Sequence, residues 1–208
     1  MPTLPSFTKD NFSNNIPRWE RLVKPRLEKK SKLNILIIGV DEGRSSYWLL
    51  QKIPKPFKVK ESRIFCIDRF SVDVHKRFKN NMKDYGDIVV DIKVDKLMRE
   101  GLSSLPPKEK QFDLIFLDGM QAQELMEIMV MTFPMLKAQG MLVIDDNTNS
   151  KEHLPNCPKV AVDAFMYIYA ASIKALDISW QAVMLKRSRP LKIKDCKSEY
   201  YHEDLDKI

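Results

Sequence analysis

The stretch Leu33-Asn34-Ile35-Leu36-Ile37-Ile38-Gly39-Val40-Asp41-Glu42-Gly43-Arg44-Ser45 decides the fold. Its first six residues are almost continuously apolar. Such a run suits a strand buried on both faces, as in a parallel sheet flanked by helices. Two glycines then bracket a short loop, and Ser46 to Lys52 reads as a helix. A strand, a tight turn and a helix in that order open a βαβ unit. Glycine tolerates backbone conformations closed to other residues, and a helix N-terminus offers unpaired N–H groups to a ligand.

Outward from this loop the alternation repeats. Arg63 to Ile67, Ile88 to Val90, Phe112 to Leu117 and Met141 to Ile144 read as further strands. Helix-compatible stretches cover 71–84, 94–105, 121–136 and 159–173, and Leu176 to Arg187 reads as two strands about a tight turn. Upstream, Ile16-Pro17 begins a helix that Pro25 interrupts. The expected class is α/β: a Rossmann-like, doubly wound, mostly parallel seven-stranded sheet with helices on both faces and a C-terminal antiparallel strand. The expected organisation is an N-terminal helical extension (1–32), a main domain (33–187) and a charged C-terminal tail (188–208).

The 208 residues, 44% of them hydrophobic, supply a full core for one such domain. The net charge of +7 is carried by the ends. Residues 1–32 hold 8 Lys/Arg against 3 Asp/Glu, 186–208 hold 7 against 5, and 33–185 balance at 20 against 20. A neutral body with basic ends is the pattern of solvated termini, so a nucleic-acid partner is not expected. Three cysteines (Cys66, Cys157, Cys196) without a CxxC pair exclude a disulfide framework or zinc site and point to a reducing, cytoplasmic setting. No apolar run approaches the length of a membrane span. A homodimer is compatible with the sequence.

In sheets of this class ligands bind beyond the carboxyl ends of the strands. Gly39, Asp68, Asp118 and Asp146 each follow a strand there. Counting from Gly39, the third and sixth positions are Asp41 and Arg44, so the loop lacks the GxGxxG pyrophosphate cradle and a nicotinamide oxidoreductase is disfavoured. Asp68, 29 residues after Gly39, suits the hydroxyls of an adenosine-type cofactor, or the N-cap of a helix. Asp118, Asp145, Asp146 and Asn147 are hard oxygen donors of the kind Mg²⁺ takes, and also ordinary turn formers.

The segments NILIIGVDEGRSSYWLL, RIFCID, FDLIFLDGMQ and LKAQGMLVIDDN resemble the motif series of class I S-adenosylmethionine-dependent methyltransferases. Within that superfamily, the opening NIPRWERLVKPRL and the late CPKVAVDAFMYIY resemble small bacterial-type O-methyltransferases. The resemblance implies methyl transfer from S-adenosylmethionine to a hydroxyl of a small-molecule acceptor. It implies cofactor contacts from Gly39, Val40, Asp41, Glu42, Gly43, Ser45, Asp68, Arg69, Asp91 and Asp118. Similarity to the catechol O-methyltransferase type implies Mg²⁺ at Asp118, Asp146 and Asn147, and catalytic roles at Asp118, Gln121 and His153. Two positions depart from the pattern. Ile37 stands where many relatives carry an acid, and Gln121 where they carry His or Lys; glutamine cannot take a proton. A catalytically impaired cofactor-binding module, or more remotely an RNA methyltransferase, is the alternative.

Overall fold

The computed structural model describes residues 5–106, 111–147 and 156–191. In chain order, a 3-10 turn (Ser13–Asn15) leads into a helical run made of α1 (Ile16–Arg18), a π-helical stretch (Trp19–Val23) and α2 (Lys24–Leu27). The π segment lies just ahead of Pro25. That residue has no N–H, and its ring crowds the carbonyl four residues back, so the chain widens its turn there instead of breaking. Then come β1 (Asn34–Ile38), α3 (Arg44–Lys52), α4 (Pro54–Phe57), β2 (Arg63–Asp68), α5 (Val72–Met82), β3 (Val89–Lys93), α6 (Met98–Leu102), β4 (Phe112–Leu117), α7 (Ala122–Thr132), β5 (Leu136–Ile144), α8 (Pro158–Ile168), β6 (Ile173–Ile178) and β7 (Ala182–Lys186).

The seven strands lie in the order β3-β2-β1-β4-β5-β7-β6. All neighbours from β3 to β5 are parallel, and β7 runs antiparallel to both β5 and β6. This is the expected Rossmann-like sheet. Alternate side chains of each central strand feed two cores. Ile35 and Ile37 of β1 with Leu114 and Phe116 of β4 pack under Trp19, Val23, Trp48, Leu49 and Phe78. Leu36, Ile38, Ile115 and Leu117 pack under Leu125, Ile128, Met129, Val162 and Phe165. Each such side chain contributes about 1.5–3 kcal/mol on burial. Cys66 belongs to the first core, and burial pushes its thiol up to about 12.

Several boundaries differ from the sequence reading. The helix expected over 121–136 stops at Thr132, where Pro134 enforces a 3-10 turn, and β5 starts at Leu136 instead of Met141. The extra length is accommodated by a register shift against β4 between Phe112 and Leu114. The helix expected to reach 173 ends at Ile168, and Ile173 opens β6. The helix expected over 94–105 is only Met98–Leu102.

β1 and β4 are adjacent, yet the chain leaves β1 toward β2 on one side and returns to β4 on the other. The carboxyl ends of β1 and β4 therefore form the topological switch point, where α/β sheets leave a crevice.

Candidate active site

The β1–α3 loop is built around left-handed backbone at Gly39 (φ +83°), Asp41 (+50°) and Gly43 (+86°). The glycines answer to the chain's own packing. A Cβ on Gly39 would lie 2.0 Å from the backbone oxygen of Asp118, and one on Gly43 would meet Phe78 at 2.9 Å. Gly39 thus lets the loop turn flush against the end of β4, and Gly43 lets the start of α3 sit on α5. The Asp68 carboxylate ties the loop down. Its Oδ2 accepts from the N–H groups of Val40 (2.6 Å) and Asp41 (2.9 Å), and its Oδ1 from Phe70 N–H (3.0 Å). Asp68 is expected to meet a cofactor or to cap a helix; the cap of the following helix is Ser71 instead, and the Asp68 carboxylate fixes the loop.

Residues 6–15 strap across the same loop. Thr8 donates from its backbone N–H and its hydroxyl to the Glu42 carboxylate at 2.6 and 2.5 Å, and Arg77 Nε donates to it at 2.5 Å. Burial would push Glu42 up, but these donors outweigh it and hold the carboxyl below its usual range. The Glu42 side chain is therefore engaged in holding the strap. Asn81 bonds Ser6 and the Glu42 carbonyl, while Arg44 pairs with Asp10 at 3.6 Å and lies over the Phe7 ring.

Between the strap and the strand ends lies a cavity of about 540 Å³. Asp41, Asp68, Asp118, Asp145 and Asp146 line it from the loops after β1, β2, β4 and β5; Asp10, Asn11, Asn14 and Asn15 line it from the strap, and Trp180 from the β6–β7 turn. The volume falls in the range of small-molecule sites. Six carboxylates face one cation among the described residues, Arg69, and Arg69 is itself paired with Glu124.

Burial, reinforced by Asp145 and Asp146, pushes the Asp118 carboxyl up to about 8. Burial also raises Asp145 and Asp146, and burial with the Glu42 charge raises Asp41. A carboxyl near 8 is able to take a proton around neutral pH, which an ordinary aspartate does poorly. Asp145 is fixed by Asn15, whose Nδ2 donates to its Oδ2 at 2.6 Å, and by the Asp146 N–H at 3.0 Å.

The structure thus brings together Gly39, Asp41, Asp68, Arg69, Asp118 and Asp146 around one cavity. Val40, Glu42 and Ser45 border a smaller pocket beneath the strap, together with Gly39, Asp41 and Asp118. Asp91 lies elsewhere: its carboxylate is 2.7 Å from His75 Nε2 and 3.8 Å from Lys79 Nζ, on α5. Gln121 is exposed ahead of α7 and does not line the cavity. Asn147 is fully buried, and its Nδ2 donates to the Ser179 carbonyl at 2.9 Å. Among the described residues no three His, Cys, Asp or Glu side chains meet in a metal-holding arrangement. His153 lies outside the described residues. The strap residues Asn11 and Asn14, and Trp180, carry no periodic or motif signal in the sequence, and Asn15 enters it only as the first residue of NIPRWERLVKPRL.

The profile of the methyltransferase domain family matches residues 36–147, more than half of the chain. Solved structures share the fold. The O-methyltransferase from Bacillus cereus, crystallised with S-adenosylhomocysteine, superposes with a TM-score of 0.67 at 16% identity, over 87% of this chain and 84% of that one. The O-methyltransferase TomG from Streptomyces achromogenes, involved in tomaymycin synthesis and crystallised with S-adenosylmethionine, gives 0.63 at 17% identity, over 82% and 80%. No curated protein matches the sequence. With the matched segment running from the middle of β1 to the residue after the β5 acids, the chain belongs to the methyltransferase domain family and is a class I methyltransferase.

Proposed function

We propose that this protein transfers a methyl group from S-adenosylmethionine to a hydroxyl of a small-molecule acceptor. One observation carries the reading: a carboxylate-lined cavity at the switch point of the sheet, holding an Asp118 carboxyl pushed up to about 8. S-adenosylmethionine supplies an electrophilic methyl on a sulfonium. Its positive sulfonium and amino groups suit a cavity so rich in carboxylates, and the absence of a phosphate cradle suits a cofactor without pyrophosphate. Gly39 to Ser45 hold the methionine part, and Asp68 keeps one lone pair, on Oδ1, for a ribose hydroxyl beyond the three given to backbone N–H groups.

Asp118 takes the acceptor's proton. As the acceptor oxygen forms its bond to the methyl carbon and the sulfonium bond breaks, the hydroxyl proton passes to the Asp118 carboxylate, which later returns it to water. Positioning and this proton acceptor account for the chemistry without a basic residue at Gln121. Metal assistance rests on donor chemistry alone. Asp118 and Asp146 are hard ligands at the ends of neighbouring strands, but Asn147, the third residue of that set, does not line the cavity.

The excess of carboxylates disfavours an anionic acceptor such as RNA, which the basic termini alone would have suggested. The exposed Gln121 and fully buried Ile37 favour a second reading, cofactor binding without turnover. Transfer of labelled methyl to a panel of hydroxyl acceptors, with and without Mg²⁺, separates the two. Turnover supports the enzyme, and tight S-adenosylhomocysteine binding with no turnover supports the module.

A further inference from the structure

The carboxylates around the cavity are not equally occupied. Asp68 accepts three backbone N–H groups, Asp10 accepts from Phe12 and Ser13 and faces Arg44, and Asp145 accepts from Asn15 and from Asp146 N–H. The Asp146 carboxylate accepts no hydrogen bond from any described residue, and it is half-buried. Asn15, which lines the same cavity, is 1% exposed; its Nδ2 is given to Asp145 and its Oδ1 has no partner among the described residues. A buried carbonyl without a donor is destabilising, and an occupant bearing N–H groups would relieve it.

Trp180 completes this end of the cavity. It is 43% exposed, unusually for an indole, and it sits on the β6–β7 turn. Asn147 N–H donates to the Trp180 carbonyl at 2.8 Å, so the turn is pinned to the residue that follows Asp146. Among the described residues a carboxylate that accepts no hydrogen bond, an orphaned carbonyl and a half-exposed indole all suit the same thing, a compact cation that donates hydrogen bonds. S-adenosylmethionine brings one net positive charge, far fewer than the carboxylates that line the cavity.

We infer that the methyl acceptor carries a protonated amine as well as its hydroxyl, and that the ammonium is held at the cavity mouth by Asp146, Asn15 Oδ1 and the Trp180 ring. The acceptor class is then small amino alcohols, aminophenols or amino sugars, not neutral or acidic hydroxyl compounds. This inference rests on the methyltransferase reading above and adds the recognition element of the acceptor.

The test is calorimetry on the full chain saturated with S-adenosylhomocysteine, in EDTA and again in Mg²⁺. The probes are matched pairs: tyramine against N-acetyltyramine, and glucosamine against N-acetylglucosamine. Acetylation removes the charge and keeps the hydroxyls. At least one amine should bind at least tenfold more tightly than its acetylated partner, in EDTA. Asp146→Asn should erase that preference, the amine and its acetylated partner then binding alike, while the variant keeps the wild-type circular dichroism spectrum and still binds S-adenosylhomocysteine, and Trp180→Ala should reduce it. Equal affinity within both pairs, no binding of either amine at millimolar concentration, a preference that survives Asp146→Asn, or binding only of neutral compounds in Mg²⁺ would each overturn the inference. Failure of S-adenosylhomocysteine itself to bind would instead overturn the reading beneath it.

Discussion

Replacing Asp118 by Asn removes the most perturbed carboxyl of the cavity and nearly preserves its shape. Burial first, then Asp145 and Asp146, raise this carboxyl from the ordinary 3.8 to about 8. A carboxyl raised on folding binds its proton more tightly in the native state. Its contribution to stability is complete below about pH 4 and is lost as pH climbs through 8. The span is about four pH units, and each unit is worth about 1.36 kcal/mol, so the ceiling is roughly 5–6 kcal/mol. Relaxation and water entry reduce that, and about 3 kcal/mol is a reasonable expectation. The amide that replaces the carboxyl does not ionise. Relative to the wild type, Asp118→Asn should gain about 3 kcal/mol between pH 4.5 and pH 9, or roughly 6–12 °C in melting temperature for a chain of this size. Thermal and urea unfolding of both proteins across that range measures it. Only the difference between them matters, because Asp41, Asp145 and Asp146 titrate in both. A difference that does not change with pH would refute the electrostatic account of the cavity.

Other substitutions probe the loop, the strap and the proton transfer. Gly39→Ala should destabilise by about 3 kcal/mol or more, because it adds a left-handed alanine and a methyl that cannot clear the Asp118 carbonyl; circular dichroism melting reads it. Glu42→Gln should cost about 2 kcal/mol by weakening the bonds from Thr8 and Arg77, and limited proteolysis should then cut first within residues 5–12. In the wild type the rate of methyl transfer should rise with pH and level off above about 8, as Asp118 becomes the carboxylate that accepts the proton; Asp118→Asn should slow transfer at least a hundredfold and flatten the profile.

The sheet was legible because its central strands are buried on both faces. Ile35 to Ile38, Ile64 to Ile67 and Leu114 to Leu117 read as unbroken apolar runs. Edges were harder. β3 alternates, with Asp91 and Lys93 exposed, and its limits are hard to read; the helix reading overruns its true end at Ile168 as far as Ile173, the first residue of β6, because Tyr167 to Ile173 keeps an apolar texture. Of the site, residues that end strands were readable, since topology alone aims Gly39, Asp68, Asp118 and Asp146 at one crevice. Partnerships were not. Nothing local in the sequence shows that Glu42 holds Thr8, that Asp91 faces His75, or that Asn15 reaches across 130 positions to Asp145. Those pairings are long-range consequences of packing, and a polar strap without hydrophobic periodicity gives no sign of where it lies.

The carboxylate-lined cavity at the end of β1 should accept an S-adenosyl cofactor. Titration calorimetry of S-adenosylhomocysteine into the wild type and Asp68→Ala measures this most directly. Asp68 both fixes the Val40–Asp41 turn and lines the cavity, so its loss should weaken binding at least tenfold, about 1.4 kcal/mol, while the wild type binds stoichiometrically in the micromolar range. Absence of wild-type binding at millimolar ligand, or equal binding by both proteins, would contradict it.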